Sequence, residues 1–169
     1  FLKAKGKDVG KSLVDSSMIS EAKKILANAR GKTDIIFPQD FICAKSMKHK
    51  KTCVSNSNEM ASDLMGLDIG PKTIEEFSKT IFDSGTILWN GPMGVFEIEG
   101  FHHGTQKIAK TIGEVTKNGS TSIVGGGDSA AAIKKFEMTN NFSHISTGGG
   151  ASLSLLSGNI MPAIYALEL

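Results

Sequence analysis

Arginine and cysteine are nearly missing from this chain, and each shortage excludes something. Arg30 is the only arginine among 19 basic residues, so the usual bidentate fork for carboxylates and phosphates is all but absent. Cys43 and Cys53 are the only cysteines. They form no C-x-x-C pair, and the adjacent His102 and His103 give no metal-ligand spacing, so the pair reads as reduced thiols of a cytoplasmic protein. No apolar run is long enough to span a bilayer, and no signal peptide is visible. A net charge of +2 gives no global pull toward nucleic acid or acidic membranes. There is no initiator methionine. Phe1-Leu2-Lys3-Ala4-Lys5-Gly6 reads as the end of a helix closed by glycine, and the chain is expected to start inside an element of a longer protein.

Glycine, by contrast, is abundant and clustered. Thr121-Ser122-Ile123-Val124 leads into Gly125-Gly126-Gly127-Asp128-Ser129 and an alanine-rich helix start. A second triple glycine, Gly148-Gly149-Gly150, follows the short run Ser143-His144-Ile145-Ser146-Thr147 and again opens a helix. A glycine turn at a helix N-terminus is a ready anion site: the backbone approaches closely, and unpaired N–H groups and the helix dipole favour negative charge. Two such turns in 169 residues suggest a ligand with several phosphates.

Hydrophobic spacing predicts a helix over 18–30 with Ile19, Ala22, Ile25, Leu26 and Ala29 on its face and Gly31 as cap. Strands are expected at Asp34–Pro38, Phe41–Ala44, Thr52–Val54 and Thr86–Trp89, and the lysine-rich 45–51 reads as a solvated turn. Residues 55–62 read as loop. Pro71 suits the first turn of a helix running to about Phe82. A further helix is expected over 101–117, with Ile108, Ala109 and Ile112 buried, and a final apolar segment covers Ile160–Leu169. Short apolar strands alternating with helices predict an α/β fold: a parallel sheet flanked by helices on both faces, Rossmann-like, incomplete at the N-terminus. The informative loops fall at strand C-termini, where such sheets bind ligands.

Gly125 to Ala130 matches G-x-G-x-x-A, but the strand after it ends without the carboxylate a dinucleotide site calls for. Neither glycine cluster is followed by the Gly-Lys-Ser/Thr of a P-loop. Asp128 stands where a helix N-cap would. An Asp among phosphate-binding amides would repel the phosphate unless a cation lies between, so the alternative is a Mg²⁺ ligand. Ser129 is either a phosphate donor or an ordinary first-turn serine. Glu97 is either a solvated loop residue or an acceptor for ribose hydroxyls, and Asn90 either caps its turn or touches ligand. Trp89 and Phe96 read as core, His102 and His103 as surface, and His144 as a packed histidine.

Leu88-Trp89-Asn90-Gly91-Pro92-Met93-Gly94-Val95-Phe96-Glu97, the two glycine segments, and Met65-Gly66-Leu67-Asp68-Ile69-Gly70-Pro71 together resemble phosphoglycerate kinase, in order and approximate spacing. The resemblance covers essentially the whole chain. It implies most of the C-terminal, nucleotide-binding domain of a two-domain, monomeric kinase, with the N-terminal phosphoglycerate-binding domain absent. It implies that Gly66, Leu67 and Val95 line an adenine pocket, that Asn90 and Pro92 lie near ribose and phosphates, and that Glu97 holds the ribose. It places Gly126, Gly127, Asp128 and Ser129 at the phosphates of ADP or ATP, with Asp128 at Mg²⁺, and Gly148, Gly149 and Gly150 at the phosphoryl group in transfer. It implies phosphoryl exchange between 1,3-bisphosphoglycerate and Mg·ADP in glycolysis for the parent protein. For these residues alone it implies nucleotide binding at best, since 1,3-bisphosphoglycerate or 3-phosphoglycerate would need the absent domain. The competing expectation is a catalytically inert nucleotide-binding module.

Overall fold

The computed structural model describes residues 1–146 and 148–167. Thr147 of the second glycine motif, and the last two residues of the final apolar segment, lie outside them. The chain divides into two units, Phe1–Ser78 with Met93–Gly104, and Lys79–Pro92 with Thr105–Leu169.

In the first unit the opening residues close as expected. Lys7 N–H reaches back to the Leu2 carbonyl at 3.0 Å, and Gly6 takes a φ of 76°, a conformation that favours glycine. Helix α1, Ile19–Ala29, half-buries Ile19, Ala22, Leu26 and Ala29, while Ile25 stays exposed. Three strands follow: β1 (Asp40–Ala44), β2 (Cys53–Asn56) and β3 (Met65–Ile69). They form an antiparallel sheet of order β2-β1-β3, which the alternating pattern had not indicated. Cys43 faces Cys53 directly across β1 and β2. The expected strand at Asp34–Pro38 carries no ladder among the described residues; apolar character alone does not make a strand without a partner for its N–H and C=O groups. The segment read as loop from Ser55 instead begins inside β2.

Helix α2, Pro71–Phe82, starts at the predicted proline. Its first turn is held by a carboxylate from far away in sequence. The buried Asp40 accepts from Thr73 N–H at 2.9 Å, Thr73 Oγ1–H at 2.7 Å and Lys72 N–H at 3.1 Å. Those N–H groups have no partner within the helix, so the side chain acts as a remote cap. A Cβ on Gly70 would collide with the Asp40 carboxyl, which explains the glycine just before the helix. The core of this unit includes Ala44, Leu67 and Phe101, with Ile42, Met65, Val95 and Ile98 packed against them.

The second unit carries the expected parallel sheet. Strands β4 (Thr86–Asn90), β5 (Thr121–Gly125) and β6 (His144–Ser146) lie in that order. Asn90 is level with Gly125, and Gly125 with Ser146, so the three strands end together. Helix α3, His103–Lys117, buries Ile108, Ala109, Ile112 and Val115, the face read from spacing. Helices α4 (Gly127–Lys135), α5 (Gly149–Leu156) and α6 (Pro162–Leu167) complete the described chain. Among the described residues no helix is long and apolar enough to cross a membrane. Trp89 is buried as expected, with its ring 6.2 Å from Phe142. His144, expected to be packed, is exposed: it lies on β6, one of the two strands at the edges of this sheet.

Candidate functional site

The two glycine turns meet. A Cβ placed on Gly149 would lie 2.5 Å from both the Cα and the N of Gly126, so backbone rests directly on backbone and only glycine fits. Gly126 has φ 95° and is itself the N-cap of α4. A Cβ there would come within 2.6 Å of Asn90 Oδ1, which puts the Asn90 carboxamide over the turn. Helix α4 makes its first backbone bond from Ala130 N–H to the Gly126 carbonyl, and α5 from Ala151 and Ser152 N–H to the Gly148 carbonyl. The N–H groups of Gly127, Asp128, Gly149 and Gly150 therefore have no carbonyl partner inside their helices. Gly127, Asp128, Gly148 and Gly150 are exposed and Gly149 is buried. Two helix N-termini thus converge beyond the C-terminal ends of three parallel strands, a strongly anion-favouring arrangement.

The structure removes one of the two readings of Asp128 and gives Ser129 a partner. Asp128 is not the cap; it is the second residue of α4, exposed, because the left-handed Gly126 already takes the cap position. Its carboxylate is therefore not consumed by helix capping. Ser129 is buried, and its Oγ accepts from Gly91 N–H at 2.7 Å. The hydroxyl thereby ties the β4 loop to the first glycine turn. The same loop is held from its other side, where Trp89 Nε1–H donates to the Gly91 carbonyl at 2.7 Å. Pro92, half-buried, follows. Ser146 and Ser152 hydroxyls lie 3.1 Å apart and link β6 to α5, a contact sequence reading did not find.

Among the described residues no three His, Cys, Asp or Glu side chains gather to hold a metal. The one carboxylate in the glycine turns is Asp128. That set fits Mg²⁺, which takes few protein ligands and fills its shell with phosphate oxygens and water; it does not fit zinc.

The remaining candidates lie in the first unit. Gly66 lines a mostly apolar cavity of about 560 Å³ together with Leu13, Val14, Phe41 and Met60, and its N–H donates to Ser12 Oγ at 3.0 Å. Leu67 is buried in β3, and its carbonyl accepts from Val95 N–H at 2.9 Å. Glu97 is exposed two residues on. Leu13, 89% exposed on the cavity lip, was missed by sequence reading, since one leucine in a polar stretch carries no periodic signal.

Asp68 was also missed. It is buried, its Oδ2 accepting from Gly104 N–H at 2.7 Å and its Oδ1 from Ile69 N–H at 2.9 Å. Burial pushes its pKa up to about 6, against the pull of the Gly104 and Ile69 N–H groups and nearby His102. The glycines at 94 and 104 were its only sequence signal: a Cβ on either would run into this carboxyl.

Comparison with known proteins identifies a family. The family model described as phosphoglycerate kinase matches residues 1–159. The phosphoglycerate kinase of Thermosipho africanus is 48% identical over 99% of this chain, and that of Treponema pallidum 44% identical over the same share. The chain spans 42% and 41% of their respective lengths. The solved phosphoglycerate kinase of Coxiella burnetii superposes with a TM-score of 0.93 at 40% identity, covering 99% of this chain and 43% of that one. The Pyrococcus horikoshii enzyme gives 0.80 at 32% identity, covering 98% and 42%.

Proposed function

Since the chain belongs to the phosphoglycerate kinase family, we propose that its 169 residues are most of the nucleotide-binding domain of such a kinase and supply its Mg·ADP/ATP site. The observation that carries this is the seat of Gly149 on Gly126, which aims two sets of unpaired N–H groups at one place. Gly126, Gly127 and Asp128 take the phosphate chain, and Ser129 holds the turn with Gly91. Gly148, Gly149 and Gly150 offer N–H groups to the phosphoryl group in transfer, where charge builds on its oxygens. Asn90 and Pro92 border the phosphates and ribose. Gly66, Leu67 and Val95 give an apolar wall to the base, and Glu97 accepts from ribose hydroxyls. When bound through Asp128, Mg²⁺ would neutralise phosphate charge.

In the whole protein, we assign the reaction as reversible phosphoryl exchange. A terminal oxygen of ADP forms a bond to the acyl phosphate's phosphorus, the bond from that phosphorus to the carboxyl oxygen breaks, and 3-phosphoglycerate leaves as carboxylate. Backbone donors do not take a proton in this step; they position and stabilise. Holding the phosphoglycerate falls to residues outside this chain, since its single arginine, Arg30, sits at the C-cap of α1.

The test is a calorimetric titration of the chain with Mg·ADP, repeated with Asp128→Ala and without magnesium. Binding that weakens in both controls supports the reading. No binding, or binding indifferent to Asp128 and magnesium, overturns it. A coupled assay on the same sample checks the second part: no turnover is expected from these residues alone.

A further inference from the structure

Val95 and Glu97 ride on the loop between Gly94 and Gly104, and both ends of that loop rest on one side chain. Asp68 is only 2% exposed. Its Oδ2 accepts from the Gly104 N–H at the far end, while Gly94 at the near end lies so close that a Cβ would run into the carboxyl. Between these ends Val95 N–H bonds the Leu67 carbonyl at 2.9 Å, Ile98 N–H the Val95 carbonyl at 3.0 Å, and Phe101 N–H the Ile98 carbonyl at 3.1 Å. Val95 and Ile98 then pack on Leu67 and Phe101.

We propose that Asp68 is a positioning residue for nucleotide binding: its carboxylate clasps the 94–104 loop shut against β3, so that Val95 and Glu97 are in place before the nucleoside arrives. The proposal rests on the nucleotide reading above. A carboxylate accepting backbone N–H bonds at a helix start is a charge-assisted interaction, stronger for being shielded from water. A loop already ordered loses less freedom on binding than one ordered by its ligand. The glycines at both contact points allow the carboxyl an approach that any side chain there would block.

The experiment compares the unsubstituted chain, Asp68→Ala and Asp68→Asn, each titrated with Mg·ADP and with Mg·pyrophosphate, which has no nucleoside. In Asp68→Ala the Kd for Mg·ADP is expected to rise at least about tenfold, the loss of one charge-assisted hydrogen bond, while that for Mg·pyrophosphate is unchanged. Asp68→Asn keeps one acceptor and is expected to recover part of the affinity. It carries the test alone if the alanine variant does not fold. Equal Mg·ADP affinity in the substituted and unsubstituted chains overturns the proposal. So does an equal loss for both probes, the mark of a merely structural role. An unsubstituted chain that binds neither probe overturns the nucleotide reading instead, and the proposal falls with it.

Discussion

The second unit builds its candidate site almost wholly from backbone, and the first anchors its helix starts with buried carboxylates. In the second, Gly126 and Gly149 touch through main-chain atoms, and the groups left open are N–H donors at two helix starts. In the first, Asp40 crosses 33 residues to cap α2 at Thr73, and Asp68 crosses 36 to hold Gly104 at the start of α3. Both solutions satisfy the same need, the orphan donors of a helix N-terminus. One leaves them for a ligand, the other fills them with a side chain. An open N-terminus with glycine and no acceptor is the one to expect at a phosphate; a filled one marks scaffold.

That contrast is most exposed at Gly149. Replacing Gly149 with Val drives a branched side chain into the Gly126 backbone, and Mg·ADP affinity should fall at least about a hundredfold in calorimetry, with the antiparallel sheet of the first unit unaffected. Gly104→Ala tests the filled terminus. Its methyl group would meet Asp68 and Ile69, and urea denaturation should show a loss of roughly 2–3 kcal/mol. Asp40→Ala leaves the Lys72 and Thr73 donors unpaired beside a buried site, and about 2 kcal/mol should be lost in the same assay; a neutral result would mean that water replaces the cap.

The smallest effect is on pH. A carboxyl whose folded pKa is raised binds its proton more readily when folded. Its contribution to stability is full below the unfolded value and is lost as pH rises through about 6 for Asp68. Stability should therefore increase by about 1 kcal/mol from pH 7 to 5.5, and Asp68→Asn should flatten that slope. The exposed Asp15 and Asp63, whose pKa values are lowered, titrate below this window and do not mask it.

The same contrast explains what was legible in the sequence. Glycine turns are local: Gly125–Ser129 and Gly148–Gly150 announce a helix start after a strand, and the parallel β4-β5-β6 sheet and its helices follow from short-range pattern. Whether Gly126 meets Gly149 could not be read, because contact between two turns depends on strand order and register. The carboxylate clasps were hidden for the same reason. Asp40 and Asp68 look like ordinary acids until their partners arrive from α2 and the 94–104 loop. Of the two readings of Asp128, the cap fails because Gly126 has already taken that position with a positive φ. The apolar run at Asp34–Pro38 was misread because a strand is a property of a pair, and no strand was expected at β3, where Gly66 interrupts the apolar residues.

The register of β1 and β2 has a practical side. It sets Cys43 and Cys53 opposite each other, yet they differ sharply as nucleophiles. Burial, with a smaller contribution from Cys53, pushes the Cys43 thiol up to about 11, and it is fully enclosed, while Cys53 lies exposed on an edge strand. Only the thiolate reacts with alkylating reagents. A maleimide dye added at neutral pH should therefore mark one atom of the native chain, Cys53 Sγ, with no engineering, and a second equivalent of label taken up would report that the first unit has opened.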